Sequence, residues 1–389
     1  MTDTPNSSLT LQELLDQVSS RRFTEAVTPG DRGLADDVRF PFAAVVGQTE
    51  MKLALLLALI NPAVGGVLLV GARGTGKTTA VRALADLAPT VRRSLCPYGC
   101  LPEDIEAGGI DAVCPDCARK YGMGDPLTYD DACRLIELPL NARLEDVVGG
   151  LDERAAAHRR IQVRRGLLAS ADQNLLHVDE VNLLSNDVVD VILDAAAQGI
   201  AVVRRGPVSA TYRARFVLIG SMNPEEGRLR PQIQDRFGLR VVIGGLSSAE
   251  ERLEAYRRAR AYKTNPRAFA VAYGDEIAAM RAEVEAARAR LPEVALSAEA
   301  ETRGLELIQQ LGIGSLRAEL ALFEAARAHA AADGRVRAGL EDVRAVAPLA
   351  LRLRASAGLD AYLAVQAEDE AQLRERIASV LGVPDGPRG

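Results

Sequence analysis

Eight consecutive residues, Gly71-Ala72-Arg73-Gly74-Thr75-Gly76-Lys77-Thr78, satisfy the pattern GxxxxGK[ST]. Glycines so spaced let successive backbone N–H groups turn inward around phosphate oxygens, and a helix starting at the end of the pattern adds partial positive charge. Lys77 can then reach terminal phosphates and the Thr78 hydroxyl can ligate Mg2+, which points to ATP with its magnesium. About a hundred residues further on, Asp179 and Glu180 close the apolar run LLHVDE. One carboxylate there suits the Mg2+ shell and the next suits polarising a water; without a P-loop upstream, such a pair would read as a helix cap or surface charge.

Three further positions offer chemistry to the same ligand. Asn223, after the strand-like FVLIG, carries a neutral amide that can orient water without titrating, or else makes an Asn-Pro turn. Arg236, in RPQIQDRFGL, can project outward to a neighbouring subunit's ATP or form an ion pair within its own chain. Arg317, near the start of the helical stretch in GIGSLRAELAL, can close onto phosphate or remain solvated. Separately, Cys96-x3-Cys100 and Cys114-x2-Cys117 could supply four thiolates to a tetrahedral Zn2+, or stand as free or redox-paired thiols, with Cys133 left over. His158, His177 and His329 are scattered and receive no role.

Positioning these residues requires alternating strands and helices. FPFAAVVGQTEMKLALLLALINP predicts an extended piece and turn, then an apolar helix stopping at Pro62; GGVLLVG, the glycine loop and TTAVRALADLAP predict strand, loop and helix. Residues 90–135, rich in Pro, Gly and Asp, predict an insertion with little regular structure. LDERAAAHRRIQVRRGLLASAD predicts a helix, NLLHVDE a buried strand, Asn186 to Gln198 a helix, and AVVRRGPVSATYRARFVLIG a hairpin turning at Gly206-Pro207 and leading into a strand. Another strand is expected near Val241 to Ile243. Beyond Gly245 the pattern is helical and rich in Ala, Arg and Glu, broken near Asn265-Pro266, Leu291-Pro292 and Gly312 to Ser315.

The expected organisation is a flexible arm over 1–37 with a short helix near Leu9 to Val18, an α/β ATPase domain over 38–246 and a helical linker over 247–292. A helical lid over 293–382 and a disordered tail over 383–389 complete it. With 389 residues, more than one domain is expected. The longest apolar stretch, Leu53 to Ile60, is too short to span a membrane, and no secretory pattern opens the chain, so a cytoplasmic protein is expected. With 47 basic against 53 acidic residues, the net charge of −6 offers no general attraction to nucleic acid.

Taken together, FPFAAVVGQTEMKLALLLALINPAVGGVLLVGARGTGKTTAVRAL, LLHVDEVNLL, FVLIGSMNPEEGRLRPQIQDRFGL and GSLRAEL resemble the ATPase (I) subunit family of magnesium chelatase, over roughly residues 38 to 355. The stretch NPEEGRLRPQIQDRFGL separates this family from other AAA+ proteins, which share the P-loop and acidic pair. The resemblance implies an AAA+ P-loop core with a parallel sheet and helical insertions, followed by an all-α lid, assembling into a hexameric ring with nucleotide between subunits. It implies Asn223 as sensor 1, Arg236 as arginine finger and Arg317 as sensor 2, with Val46, Gly47 and Thr79 joining the phosphate loop around the nucleotide. It assigns Leu138 to about Leu168 to an insertion and Val202 to Ala214 to a hairpin that would transmit movement.

Family members work with an AAA-like subunit bearing an integrin-type domain and with a large porphyrin-binding subunit that inserts Mg2+ into protoporphyrin IX. This chain would be the motor of such a complex and not the porphyrin site. The cysteine-bearing insertion departs from the family's ATPase chemistry. A cobalt-chelatase motor would preserve the same residues. A nucleic-acid translocase, suggested by Arg204, Arg205, Arg213 and Arg215, fits the acidic balance poorly.

Overall fold

The apolar run after Gln48 forms helix α1 (Thr49–Ile60), which ends ahead of Pro62, whose ring disfavours helical geometry in the residue before it. The Asn61 side chain caps the short turn that follows by accepting from Ala63 N. VLLVG becomes strand β1 (Val67–Gly71), buried at every position as a strand covered on both faces must be, and the glycine loop leads into α2 (Lys77–Leu84). In this computed structural model residues 38–96, 98–151, 163–205 and 208–354 are described. The N-terminal arm with its helix near Leu9, the Gly206-Pro207 turn and the C-terminal tail fall outside them.

Residues 90–135 are more regular than their composition suggests. They hold β2 (Val91–Ser94), α3 (Pro102–Gly108), α4 (Pro115–Met123) and β3 (Thr128–Asp131), with β2 and β3 paired antiparallel. Both helices begin on a proline, whose missing N–H costs nothing in the first turn, so residues that look like breakers act as starters. β4 (Leu135–Leu138), α5 (Leu144–Val148) and β5 (Gly149–Leu151) follow. The helix expected from Leu151 to Asp172 is corrected at Val163–Arg165, which forms β6 and pairs antiparallel with β5 before the short α6 (Leu167–Ser170). Strand pairing there overrides local helix propensity, and residues 152–162 lie outside the described part.

Next come β7 (Leu175–Val178) and α7 (Asn186–Gln198), then the hairpin of β8 (Ile200–Arg205) and β9 (Val208–Arg213). β10 (Val217–Met222), α8 (Pro231–Arg236) and β11 (Leu239–Ile243) complete this part. The main sheet runs β11-β1-β10-β7-β4, with every neighbouring pair parallel. Alternate residues of β1 serve opposite layers: Val67 and Leu69 pack with α1 and α2, Leu68 and Val70 with α7. The carboxyl ends of all five strands open on one edge, the usual ligand-binding edge of such sheets.

The remainder is helical: α9 (Ala249–Thr264), α10 (Pro266–Ala272), α11 (Gly274–Arg290), α12 (Ala298–Gln310), α13 (Leu316–Ala332) and α14 (Leu340–Leu351). Each expected break falls between two of these helices. A two-residue parallel pair, β12 (Ala295–Leu296) with β13 (Arg337–Ala338), is the departure from an all-helical reading. α13 buries a stripe of small residues, Ala318, Ala321, Ala325 and Ala328, which lets it join the same core as α1 and the sheet. Asn61 Nδ2 donates to Glu324 at 2.7 Å and Arg352 forks onto Glu50 at 2.6 and 3.0 Å, tying this helical part to α1.

Candidate active site

β1 ends at Gly71, where a side chain would collide with the carbonyl oxygen of Ile243 on β11. Gly74 and Gly76 have φ of +78° and +86° with open space around them, so these positions need glycine's conformational freedom and not its small size. Thr75 Oγ1 donates to Ala72 O at 3.0 Å. Lys77 Nζ donates to the carbonyls of Gly71 and Ala72 at 2.6 and 2.8 Å, which folds the ammonium under the loop. Burial lowers the Lys77 pKa, opposed by Glu180, Asp179, Glu226 and Glu225. Ahead of α1, Gly47 and Gln48 adopt left-handed conformations and Gln48 Nε2 donates to Gly244 O at 2.9 Å, so Val46 and Gly47 adjoin the exit of β11.

β7 delivers Asp179 and Glu180 to the same edge. Thr78 Oγ1 lies 3.5 Å from Asp179 Oδ2, while Ser221 Oγ on β10 donates to Asp179 Oδ1. A hydroxyl and a carboxylate oxygen so placed form the hard-oxygen pair that Mg2+ prefers. Glu180 has φ +49° and ψ 54°, a conformation uncommon outside glycine and frequent at functional sites. This turn aims its carboxylate at β10, where Oε2 accepts from Asn223 N at 2.9 Å. Burial raises the Glu180 pKa, reinforced by Glu226 and Asp179 and opposed by the Asn223 hydrogen bond and Lys77.

Asn223 is 1% exposed, and its Nδ2 donates to Glu226 Oε1 at 3.0 Å. Glu226 also pairs with Arg73, so one carboxylate links the phosphate loop to the asparagine. The Asn223 amide and the Arg73 guanidinium together hold the Glu226 pKa below its ordinary value.

Arg236 and Arg317 stand elsewhere. Gly238 N and Leu239 N, just after α8, bond to Gly65 O and Gly66 O ahead of β1. The phosphate loop leaves the far end of that five-residue strand, about 16 Å away at about 3.3 Å per residue. Arg236 pairs with Asp194 and Asp190 of α7, at 2.9 and 3.6 Å. Arg317 pairs with Asp235 at 3.3 Å, and Asp235 also accepts from Ser315 and Arg354. Both arginines line one open cavity of about 370 Å3, along with Asp194 and Asp235. The structure therefore gathers Lys77, Thr78, Asp179, Glu180 and Asn223, and sets the two arginines together at the opposite edge.

Sequence comparison bears on this arrangement. The family description for magnesium chelatase, subunit ChlI, matches residues 155–236, and that for the AAA lid domain matches residues 304–376. The magnesium-chelatase 38 kDa subunit of Acidiphilium rubrum is 44% identical over 317 residues, covering 81% of this chain and 90% of that protein. The chain belongs to the magnesium-chelatase ChlI subunit family. The magnesium-chelatase subunit ChlI homolog of Methanocaldococcus jannaschii is 40% identical over 314 residues, covering 80% and 84% of the two chains. A crystal structure of a proposed ATPase from Cytophaga hutchinsonii matches with a TM-score of 0.51 at 21% identity, covering 80% and 84%, which bears on fold alone. The fold is an AAA+ α/β core followed by a helical lid.

Within this ChlI-family chain, sequence reading passed over three supporting side chains. Ser221 orients Asp179, Asn182 Nδ2 reaches the carbonyls of Asn223 and Gly227 at 3.4 Å, and Glu226 joins Arg73 to Asn223. Ser221 had a signal: it is a polar residue in a strand buried at every position. Of the cysteines, Cys96, Cys100, Cys114 and Cys117 converge, with all four Sγ atoms within 4.8 Å of one another, whereas Cys133 lies apart beside Gln173. Among the described residues no helix is long and apolar enough to cross a membrane.

Proposed function

We propose that this chain is the ATP-hydrolysing motor of a magnesium chelatase, cycling in a cytoplasmic hexameric ring with its nucleotide between subunits. The carrying observation is the convergence of Lys77 and Thr78, Asp179 and Glu180, and Asn223 at the carboxyl ends of three adjacent strands. MgATP supplies the phosphoryl group and a divalent ion that neutralises its charge. The loop N–H groups from Ala72 to Thr79, with Arg73 and Lys77, would hold the phosphates, and Thr78 with Asp179 the ion. Glu180 would take a proton from water that the Asn223 amide positions. Val46 and Gly47 would flank the base. The same reading divides the chain into an ATPase domain over 38–246, a linker over 247–292 and a lid over 293–382.

Because Arg236 and Arg317 lie a strand's length from their own phosphate loop, we place both against the ATP of a neighbouring subunit, as finger and sensor. Their present carboxylate partners would be exchanged for phosphate oxygens when the ring closes. The proposed partners are an integrin-domain AAA-like subunit and a large porphyrin-binding subunit, with Mg2+ and protoporphyrin IX as substrates of the latter. The runner-up, a cobalt-chelatase motor, differs only in those substrates. A nucleic-acid translocase is disfavoured because Arg213 and Arg215 of the hairpin region are engaged by Asp104 and Asp172. Besides ATP and Mg2+, the proposed cofactor is a structural Zn2+ held by Cys96, Cys100, Cys114 and Cys117.

The test is ATP hydrolysis by the purified chain, alone and with candidate chelatase partners, Mg2+ and protoporphyrin IX, for wild type and Glu180→Gln. Partner-dependent Mg-porphyrin formation lost in the variant supports the reading. Turnover without metal insertion by any partner set shifts it to the cobalt enzyme, and DNA-stimulated turnover shifts it to the translocase.

A further inference from the structure

We propose that Cys96, Cys100, Cys114 and Cys117 bind one Zn2+ as a tetrahedral thiolate site, and that this ion anchors the Val91–Asp131 segment against the β8–β9 hairpin. The inference does not rest on the ATPase reading, since none of these residues belongs to the nucleotide site.

The geometry is that of a single ion. All four Sγ atoms lie within 4.8 Å of one another, and Cys114 Sγ is 3.8 Å from Cys96 Sγ. A tetrahedron with metal–sulfur bonds of about 2.3 Å has edges of about 3.8 Å. A disulfide would require about 2.05 Å, and an iron–sulfur cluster would push its ligands further apart than one ion does. Backbone N–H groups already point at sulfur, Tyr98 N at Cys96 Sγ at 3.2 Å and Cys114 N at Cys100 Sγ at 3.4 Å, the kind of outer support that orients metal ligands.

The segment needs such a centre. Its own buried apolar cluster comprises Cys100, Ile105, Cys117 and Leu127, with Cys96, Val113 and Cys114 partly buried beside them. So few side chains cannot order a segment of this length, whereas a structural ion in a small module contributes folding free energy directly. The four ligands come from the loop after β2, the lead into α3, and the cap and first turn of α4, so one ion joins β2, α3 and α4, and β3 is held by its pairing with β2. An open cavity of about 210 Å3 beside Cys96 gives the ion an entry path.

The module in turn holds the hairpin. Asp104, on α3 four residues after Cys100, accepts from Leu101 N at 2.8 Å and pairs with Arg213 of β9. Losing the ion would release Asp104 and with it this tether.

The experiment measures metal in the purified full-length chain by mass spectrometry and titrates its thiols with a mercurial reagent. One zinc per chain, released in step with four of the five thiols, is expected, and Co2+ exchanged into the site should give the ligand-field spectrum of a tetrahedral tetrathiolate. Cys114→Ser/Cys117→Ser should retain only trace zinc, and chelator treatment of the wild type should speed tryptic cleavage within 91–131 while fluorescent ATP analogue binding persists. Freely reactive thiols without zinc, disulfides in the intact mass, iron in place of zinc, or an unchanged protease pattern after metal removal would each overturn the proposal. If the double variant does not fold, the metal content and cobalt spectrum of the wild type decide.

Discussion

At the carboxyl edge of the sheet, polar groups brace one another: Ser221 holds Asp179, Asn223 holds Glu180, and Lys77 is seated under its loop. At the amino edge, Arg236 and Arg317 are held by carboxylates of their own chain, Asp194 and Asp235, and line an open cavity. On the proposed function, the first edge receives the ligand and the second exchanges its carboxylate partners. On that reading, a subunit with these two groups at opposite ends of its strands carries half of a site at each end, which ring assembly would bring together.

The sharpest way to break that comparison is Arg236→Ala. If the arginine serves a neighbour, hydrolysis should fall about 10^3- to 10^5-fold with nucleotide binding retained. Glu180→Gln should cost about 10^2- to 10^4-fold, also with binding retained. Mixing the two inactive proteins should restore turnover, because the Glu180→Gln subunit lends its arginine to a site whose Glu180 is intact. Absence of complementation in a mixture that co-assembles would place Arg236 in its own subunit's chemistry.

Asp235→Ala tests what holds the amino edge together. The substitution strips a carboxylate from Arg240 and Arg354, both with fully buried side chains, and from Arg317. A loss of about 3 kcal/mol is expected, read from denaturant midpoints; a change within error would mean the backbone carbonyls around Arg240 suffice. A pH profile probes the carboxyl edge. Burial raises the Glu180 pKa, so the group takes up its proton at a higher pH than an ordinary glutamate. Activity should therefore fall with decreasing pH through a midpoint in kcat/KM above about 4.3; an acid limb at or below that value would show the carboxylate to be solvated. The smallest effect is expected from Glu226→Gln, which frees Arg73 and Asn223 for phosphate and should tighten nucleotide binding by about fivefold at most. Weaker binding would mean that Glu226 supports the loop instead of competing with the ligand.

Much of this was legible in the chain itself. The P-loop, the acidic pair after an apolar run, and the bounds of α7 follow from local rules, since strand burial, glycine conformation and helix periodicity act over a few residues. The same rules fail where partners are remote. Val163–Arg165 carries helix-forming neighbours yet pairs with Gly149–Leu151, and Pro102 and Pro115 start helices in a module centred on four cysteines. No spacing reveals that Ser221 braces Asp179, because they are 42 residues apart and meet only when β7 and β10 become neighbours. Residue types and order thus determined which groups reach the carboxyl edge. Only the tertiary structure decided that Arg236 and Arg317 would share the far side: Gly238 and Leu239, just after α8, bond to the chain ahead of β1, and α13 packs on the turn that precedes that strand, so a strand's length separates both arginines from the phosphate loop.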